Sequence, residues 1–193
     1  MTPKLAEKKR ITVGQVITPR DLETIAGATV SVPHPEHLVH LQFRRFAGCP
    51  VCNLHLRSFV TRHDEIVSAG VREVVVFHSS ADELRPHAAD LPFAVVADPG
   101  KRLYAEFGVE SAPRALLDPR AWGAILRGVA RDLVPVLRRR RPAPSLLPHG
   151  GRTGLPADFL IAPGGHVLAR KYGAHADDQW STEELLTHAR AAR

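Results

Sequence analysis

The stretch Phe46-Ala47-Gly48-Cys49-Pro50-Val51-Cys52-Asn53 constrains this chain more than any other. Gly48 breaks an extended run, and Pro50 fits the first turn of a helix, where its missing N–H is not needed. Cys49 is therefore expected at the N-cap or in the first helical turn. The chain has 2 cysteines, and both lie in this stretch. Two sulfurs at Cys-x-x-Cys spacing, the first at a helix start, form either a small reversible ring or a reactive thiolate with a resolving partner. A single pair cannot make a structural framework for a chain of 193 residues, so a secreted-type disulfide scaffold is a poor explanation and a catalytic or metal-binding pair a better one.

The flanking sequence alternates strand and helix. Ala28–Val32 reads as a short strand ended by Pro33 and Pro35. His37–Phe46 has strand character with apolar groups on both faces, as an interior strand requires. Apolar positions Val51, Leu54, Phe59, Ile66 and Val67 recur at helical spacing after Cys49, and the helix is expected to run to Glu65. Val71–His78 holds the strongest buried-strand run, Val74-Val75-Val76-Phe77. Ser80–Ala89 reads as a helix capped by a serine, Phe93–Ala97 as a strand, and Lys101–Phe107 as a short helix closed by Gly108. This order implies an α/β fold, a mixed sheet covered by helices.

An insertion at about 110–153 interrupts the alternation. Trp122, Ile125, Leu126, Val129, Leu133 and Leu137 mark an amphipathic helix, with Pro135 as the candidate bend. This helix either covers the sheet or builds a homodimer. An extended basic loop is expected over Pro142–Gly151. Ala157–Ile161 and His166–Arg170 form a hairpin around Pro163-Gly164-Gly165, and Ser181 with Glu184 begins a last helix. Residues 1–27 read as an N-terminal arm and 28–193 as one domain.

The net charge of +6 is concentrated in Arg138, Arg139, Arg140 and Arg141. That block reads as a solvated helix end, and without interleaved aromatic residues a nucleic-acid partner is not expected. No apolar run reaches the roughly 18 residues of a membrane span, and no apolar segment follows the charged start. A cytoplasmic protein without a membrane partner is expected.

Three runs carry a family resemblance: Phe43 through Cys52, Val95 through Val109, and Gly154 through Gly165. With the element order they span about 28–190 and resemble the thioredoxin-like superfamily, specifically its peroxiredoxin-like branch, the alkyl hydroperoxide reductase and thiol-specific antioxidant proteins. The resemblance implies a three-layer fold with the amphipathic helix and basic loop inserted. It also implies a thiol-dependent antioxidant oxidoreductase that reduces peroxide through a cysteine sulfenic acid, resolved by a Cys49–Cys52 disulfide. An external dithiol would regenerate it, and no cofactor is implied. The alternatives are a thioredoxin-like protein disulfide reductase and a non-enzymatic redox sensor. The chain departs from the peroxiredoxin pattern where Cys49 occupies the threonine position and Arg45 the proline position. Peroxiredoxin register makes Cys52 the attacking thiol, thioredoxin register makes it Cys49, and the division of labour stays open.

Lowering a thiol from about 8.5 toward neutrality needs more than a helix terminus, which contributes about 0.3–1 kcal/mol. Arg44 or Arg45 is the expected cation. At most one faces the dithiol if the strand persists, and the alternative is a pair of solvated arginines. His55, one turn beyond Cys52, would assist proton transfer or be a partly exposed helix residue. The series Cys49, Cys52, His55 leaves a tetrahedral zinc shell open, so no metal is expected. Pro156 matches the proline that is cis beside the dithiol in thioredoxin folds. Trp122 and Trp180 read as core or interface anchors.

Overall fold

The computed structural model describes residues 10–112, 114–138 and 151–192. Most of the loop expected over Pro142–Gly151, with Arg139, Arg140 and Arg141, lies outside the described residues.

The element order is β1 (Arg20–Glu23), β2 (Thr29–Val32), β3 (Leu38–Phe43), α1 (Pro50–Thr61), α2 (His63–Ser68), β4 (Val71–Phe77), α3 (Ala81–Ala88), β5 (Ala94–Ala97), α4 (Arg102–Glu106), α5 (Arg114–Leu117), α6 (Pro119–Leu137), β6 (Ala157–Ile161), β7 (Val167–Tyr172) and α7 (Thr182–Ala191). Strands β1 and β2 make a separate antiparallel hairpin, and the other five form one sheet in the order β5-β4-β3-β6-β7. Strand β3 pairs parallel with β4 and antiparallel with β6, so the sheet is mixed.

Period-2 alternation divides β3, the middle strand. Val39, Leu41 and Phe43 enter one apolar core with Val74, Val76, Phe107 and Phe159. His40, Gln42 and the following Arg44 point to the opposite layer, toward Phe59 of α1 and Trp180. That second layer is apolar around α1, α2, α3 and α7 but polar directly beneath the middle strand.

Strand register explains how this polar strip is tolerated. His40 lies opposite Glu73 on β4, and Gln42 lies opposite Asp158 on β6. His40 bonds Glu73 at 2.8 Å and Asp158 at 3.1 Å. Arg44 donates to Asp158 at 2.7 Å and to Gln42 at 2.6 Å, while Gln42 donates to Glu73. The backbone N–H of Trp180 donates to the second Asp158 oxygen at 3.1 Å. Burial by itself would raise Asp158, but the Arg44 guanidinium and His40 hold its carboxyl far below the usual carboxylate range. Burial likewise opposes charge on His40, yet Glu73 and Asp158 raise its pKa.

Several elements differ from the sequence expectations. Strand β3 ends at Phe43, and Arg44–Phe46 already turn toward the helix, with the Cys49 N–H bonded to the Phe46 carbonyl at 3.1 Å. The single helix expected from Cys49 to Glu65 is two helices, separated at Arg62 (φ −112°, ψ 22°), whose guanidinium bridges Glu65 and Glu183. Helix α6 is one continuous helix from Pro119 to Leu137, across Pro135. Within the stretch read as an arm, Ile11 and Ile17 join the apolar core. Polar β1 pairs with β2, although nothing in its sequence alternates. Both predicted serine caps are complete capping boxes, Ser80 with Glu83 and Ser181 with Glu184.

Removing the carboxylate at the centre of the polar strip leaves the buried Arg44 guanidinium without its ion-pair partner and His40 with Glu73 alone. Asp158→Ala is expected to lose about 3–5 kcal/mol of unfolding free energy in a denaturant titration at neutral pH. Because the folded-state pKa of Asp158 is lowered, its contribution is full above its unfolded value of about 3.9 and is lost as the pH falls below it. The variant should therefore show a flatter acid limb than the parent.

Candidate active site

Three local features aim the start of α1. The Ala47 N–H donates to Ser79 Oγ at 3.0 Å, which ties the loop to the end of β4. Gly48 has φ +72°, and a Cβ built there would lie 2.7 Å from the His87 ring, so only glycine fits both the turn and the contact. Cys49 is the N-cap, Pro50 follows in the first turn, and the Asn53 N–H bonds the Cys49 carbonyl at 2.9 Å.

Both sulfurs are free thiols beneath the surface, with Cys49 1% and Cys52 2% exposed. Burial alone would push Cys49 up. The Cys52 thiol, the Arg45 guanidinium and the N–H groups of Cys52 and Val51 more than offset this, and the Cys49 pKa is lowered to about 6. Burial and the neighbouring Cys49 push Cys52 well above the ordinary thiol value. At a pH above about 6 this ordering puts the negative charge on Cys49 and leaves the proton on Cys52.

Arg45 supplies the cation. Its Nη1 lies 3.5 Å from Cys49 Sγ, its Nη2 donates to the Arg152 carbonyl, and its face covers the Phe46 ring at 5.3 Å. Its Nε is buried with no hydrogen-bond partner among the described residues. Arg44 turns the other way into the polar strip, so one of the two arginines faces the dithiol. Neither is solvated: Arg44 is 0% and Arg45 2% exposed.

The remaining residues selected from sequence divide. Pro50 lies at the helix start, as placed. His55 is half-buried, and its Nε2 faces Arg44 Nη2 at 3.3 Å with its ring against Phe59. Burial and Arg44 lower its pKa well below the usual imidazole value, which keeps it neutral and turned toward the strip.

Pro156 is a correction. The cis X-Pro bond among the described residues is Val32–Pro33, and Leu155–Pro156 is trans. The Leu155 N–H is already bonded to the Glu110 carbonyl at 3.0 Å, and the Pro156 carbonyl accepts from Gly173 at 2.9 Å. The backbone before Pro156 is thereby committed to the fold rather than presented to a substrate.

Three contributions had no sequence signal. Tyr104 donates its hydroxyl to the Arg44 and Val76 carbonyls, which fixes the chain just before the site. Arg152 acts through a backbone oxygen, which no side-chain pattern reports. Gly128 of α6 packs on Pro50 so closely that a Cβ would lie 2.8 Å from the Pro50 carbonyl carbon and oxygen. Helix α6 is thus the roof of the site. A pocket of about 40 Å³ beside the loop, lined by Gly48, Asn53, His87 and neighbouring residues, has room for a water-sized or peroxide-sized molecule.

Among the described residues no helix is long and apolar enough to cross a membrane. No curated protein matches the chain in sequence. Solved structures do match its fold. Peroxidoxin BcpB from Mycobacterium tuberculosis is 16% identical, with a TM-score of 0.68 over 95% of this chain and 99% of that one. A variant of PrxQ from Xylella fastidiosa is 12% identical, with a TM-score of 0.66 over 95% and 98%. A candidate thiol:disulfide interchange protein, DsbE from Chlorobium tepidum, is 16% identical, with a TM-score of 0.56 over 94% and 97%. The AhpC/TSA antioxidant enzyme family matches residues 55–175, more than half of the chain, beginning just after the dithiol. On that match, and on a peroxiredoxin-like thioredoxin fold, the chain belongs to the AhpC/TSA antioxidant enzyme family.

Proposed function

We propose that the protein is a thiol peroxidase in which Cys49 attacks and Cys52 resolves. The observation that carries this reading is the pairing of a Cys49 thiol lowered to about 6 with a still-protonated Cys52 against it. Near neutral pH such a site holds its nucleophile as thiolate without an added base.

The Cys49 thiolate would attack one peroxide oxygen, forming the S–O bond as the O–O bond breaks. The departing alkoxide or hydroxide takes a proton, and Cys49 becomes a sulfenic acid. The Cys52 sulfur then attacks Cys49 Sγ, the S–O bond breaks, water leaves and the disulfide forms. An external dithiol returns both thiols by exchange, which fits a reducing compartment such as the cytoplasm. Arg45 offsets charge on the thiolate and then on the departing oxygen. Its unpartnered Nε, on the same guanidinium as the sulfur-facing Nη1, is a donor that a peroxide oxygen would satisfy.

A protein disulfide reductase would use the same low-pKa cysteine. What favours peroxide is access: Cys49 is 1% exposed beneath α6, an enclosure that a folded polypeptide cannot enter and a small oxidant can. Pro50 and the helix start hold the thiolate, whereas His55 and Pro156 support the fold around it.

Iodoacetamide alkylation of the reduced protein should rise as the pH passes through about 6 and level off above it. Cys49→Ser removes that inflection. Arg45→Met should move it upward by about one pH unit, since a neighbouring cation stabilises the charged form. In stopped-flow mixing with hydrogen peroxide, the parent and Cys52→Ser should react rapidly at one sulfur, and only the parent should then form the intramolecular disulfide. Cys49→Ser should react at the rate of a free thiol. Equal, free-thiol-like rates in all three forms would sink the peroxidase reading.

A further inference from the structure

The guanidinium of Arg45 reaches Cys49 Sγ at 3.5 Å and otherwise donates to a backbone oxygen, so its aim depends on where the Arg45 backbone is held. Coulomb attraction falls with the inverse of distance, and withdrawing the cation by about 1.5 Å would remove about 30% of it. Small displacements here therefore reach the thiolate.

The backbone beside Arg45 is fixed from three directions. The Arg44 N–H donates to the Val76 carbonyl at 2.8 Å, and the His78 N–H donates to the Arg45 carbonyl at 3.2 Å. Between these two bonds lies the Arg44 carbonyl, which accepts from the Tyr104 hydroxyl. The same hydroxyl lies 2.9 Å from the Val76 carbonyl, so one oxygen ties β4 to the first residue after β3. Tyr104 is 3% exposed, with its ring edge-on to Phe43 at 4.9 Å. Burial and the nearby Cys52 push its pKa well above the ordinary phenol value, which keeps it protonated and a donor.

Tyr104 is itself held in place. The Asp98 carboxylate, just after β5, accepts from the N–H groups of Arg102 and Leu103 at 2.9 Å and of Tyr104 at 3.3 Å. Lys101, before that first turn of α4, has φ +53°, a left-handed conformation that a side chain disfavours. Such strain persists where surrounding bonds over-determine it, as the Asp98 cap does here.

We propose that Tyr104 is a positioning residue for the thiolate: by holding the Arg44 carbonyl it sets where the Arg45 guanidinium meets Cys49 Sγ. This rests on the reading of Cys49 as the attacking thiol with Arg45 as its counter-charge. The groups that act on Cys49 are Cys52 from α1 and Arg45 from the loop after β3. Tyr104, from α4, feels the charge of Cys52. A route through Arg45 must therefore be told apart from a direct one through Cys52.

A double-mutant cycle separates them. Tyr104→Phe keeps the ring and removes the hydroxyl. In the reduced, full-length protein it should raise the midpoint of the iodoacetamide pH profile of Cys49 by about half a unit. In the Arg45→Met background the same change should leave the midpoint where Arg45→Met alone puts it. Asp98→Asn, which weakens the cap beneath Tyr104, should give a smaller rise that also vanishes without Arg45, and it supplies the same readout if Tyr104→Phe does not fold. The proposal is overturned if these variants titrate as the parent does, or if their shift persists undiminished in Arg45→Met. Alkylation needs no peroxide, so that failure leaves the peroxidase reading standing, whereas slow peroxide oxidation of the parent counts against that reading alone.

Discussion

The arrangement depends on a buried set of charges at the centre of the sheet. His40, Gln42 and Arg44 follow one another along one face of the middle strand, and they meet Glu73 from one neighbour and Asp158 from the other. A one-residue slip would turn these side chains into the aromatic layer and strand their partners, at a cost of several kcal/mol for each unpaired ion. The register is thus specified by charge as well as by apolar alternation. Fixing it fixes where β3 ends, and hence where Arg45 and Cys49 emerge.

The electrostatics of the two layers then separate. Asp158 neutralises Arg44 in the strip, whereas Arg45 meets a backbone oxygen and a sulfur. Adjacent arginines of identical chemistry therefore do different things. One satisfies a buried carboxylate and steadies the fold; the other keeps its positive charge for the thiolate. The difference arises from Asp158 and Arg152, each more than a hundred residues away in sequence.

That distance marks the limit of what could be read beforehand. The strands of the main sheet, the capped helices and the Cys49 helix start were legible because each is written in a local period or a local cap. The burial of both arginines was not, since their partners are non-local. The break at Arg62 was equally hidden: apolar spacing continues across it from Phe59 to Ile66, and the partners that bridge the break include Glu183 of α7. The cis assignment for Pro156 came from fold resemblance, and it fails where the preceding N–H is bonded to Glu110. Trp122 and Trp180 looked alike in sequence, yet Trp180 packs on His40 in the core while Trp122 faces outward.

The contact between the two thiols has a kinetic meaning. Cys52 already touches Cys49 through a hydrogen bond, so any oxidised form of Cys49 finds its partner at an effective concentration far above that of a dissolved oxidant. A second oxidant molecule must also reach a sulfur that is almost wholly enclosed. Ring closure is intramolecular and further oxidation is bimolecular. In the proposed reaction this geometry would favour the reversible disulfide over the irreversible sulfonic acid, and the enclosure that limits how often the site reacts would also limit how often it is lost.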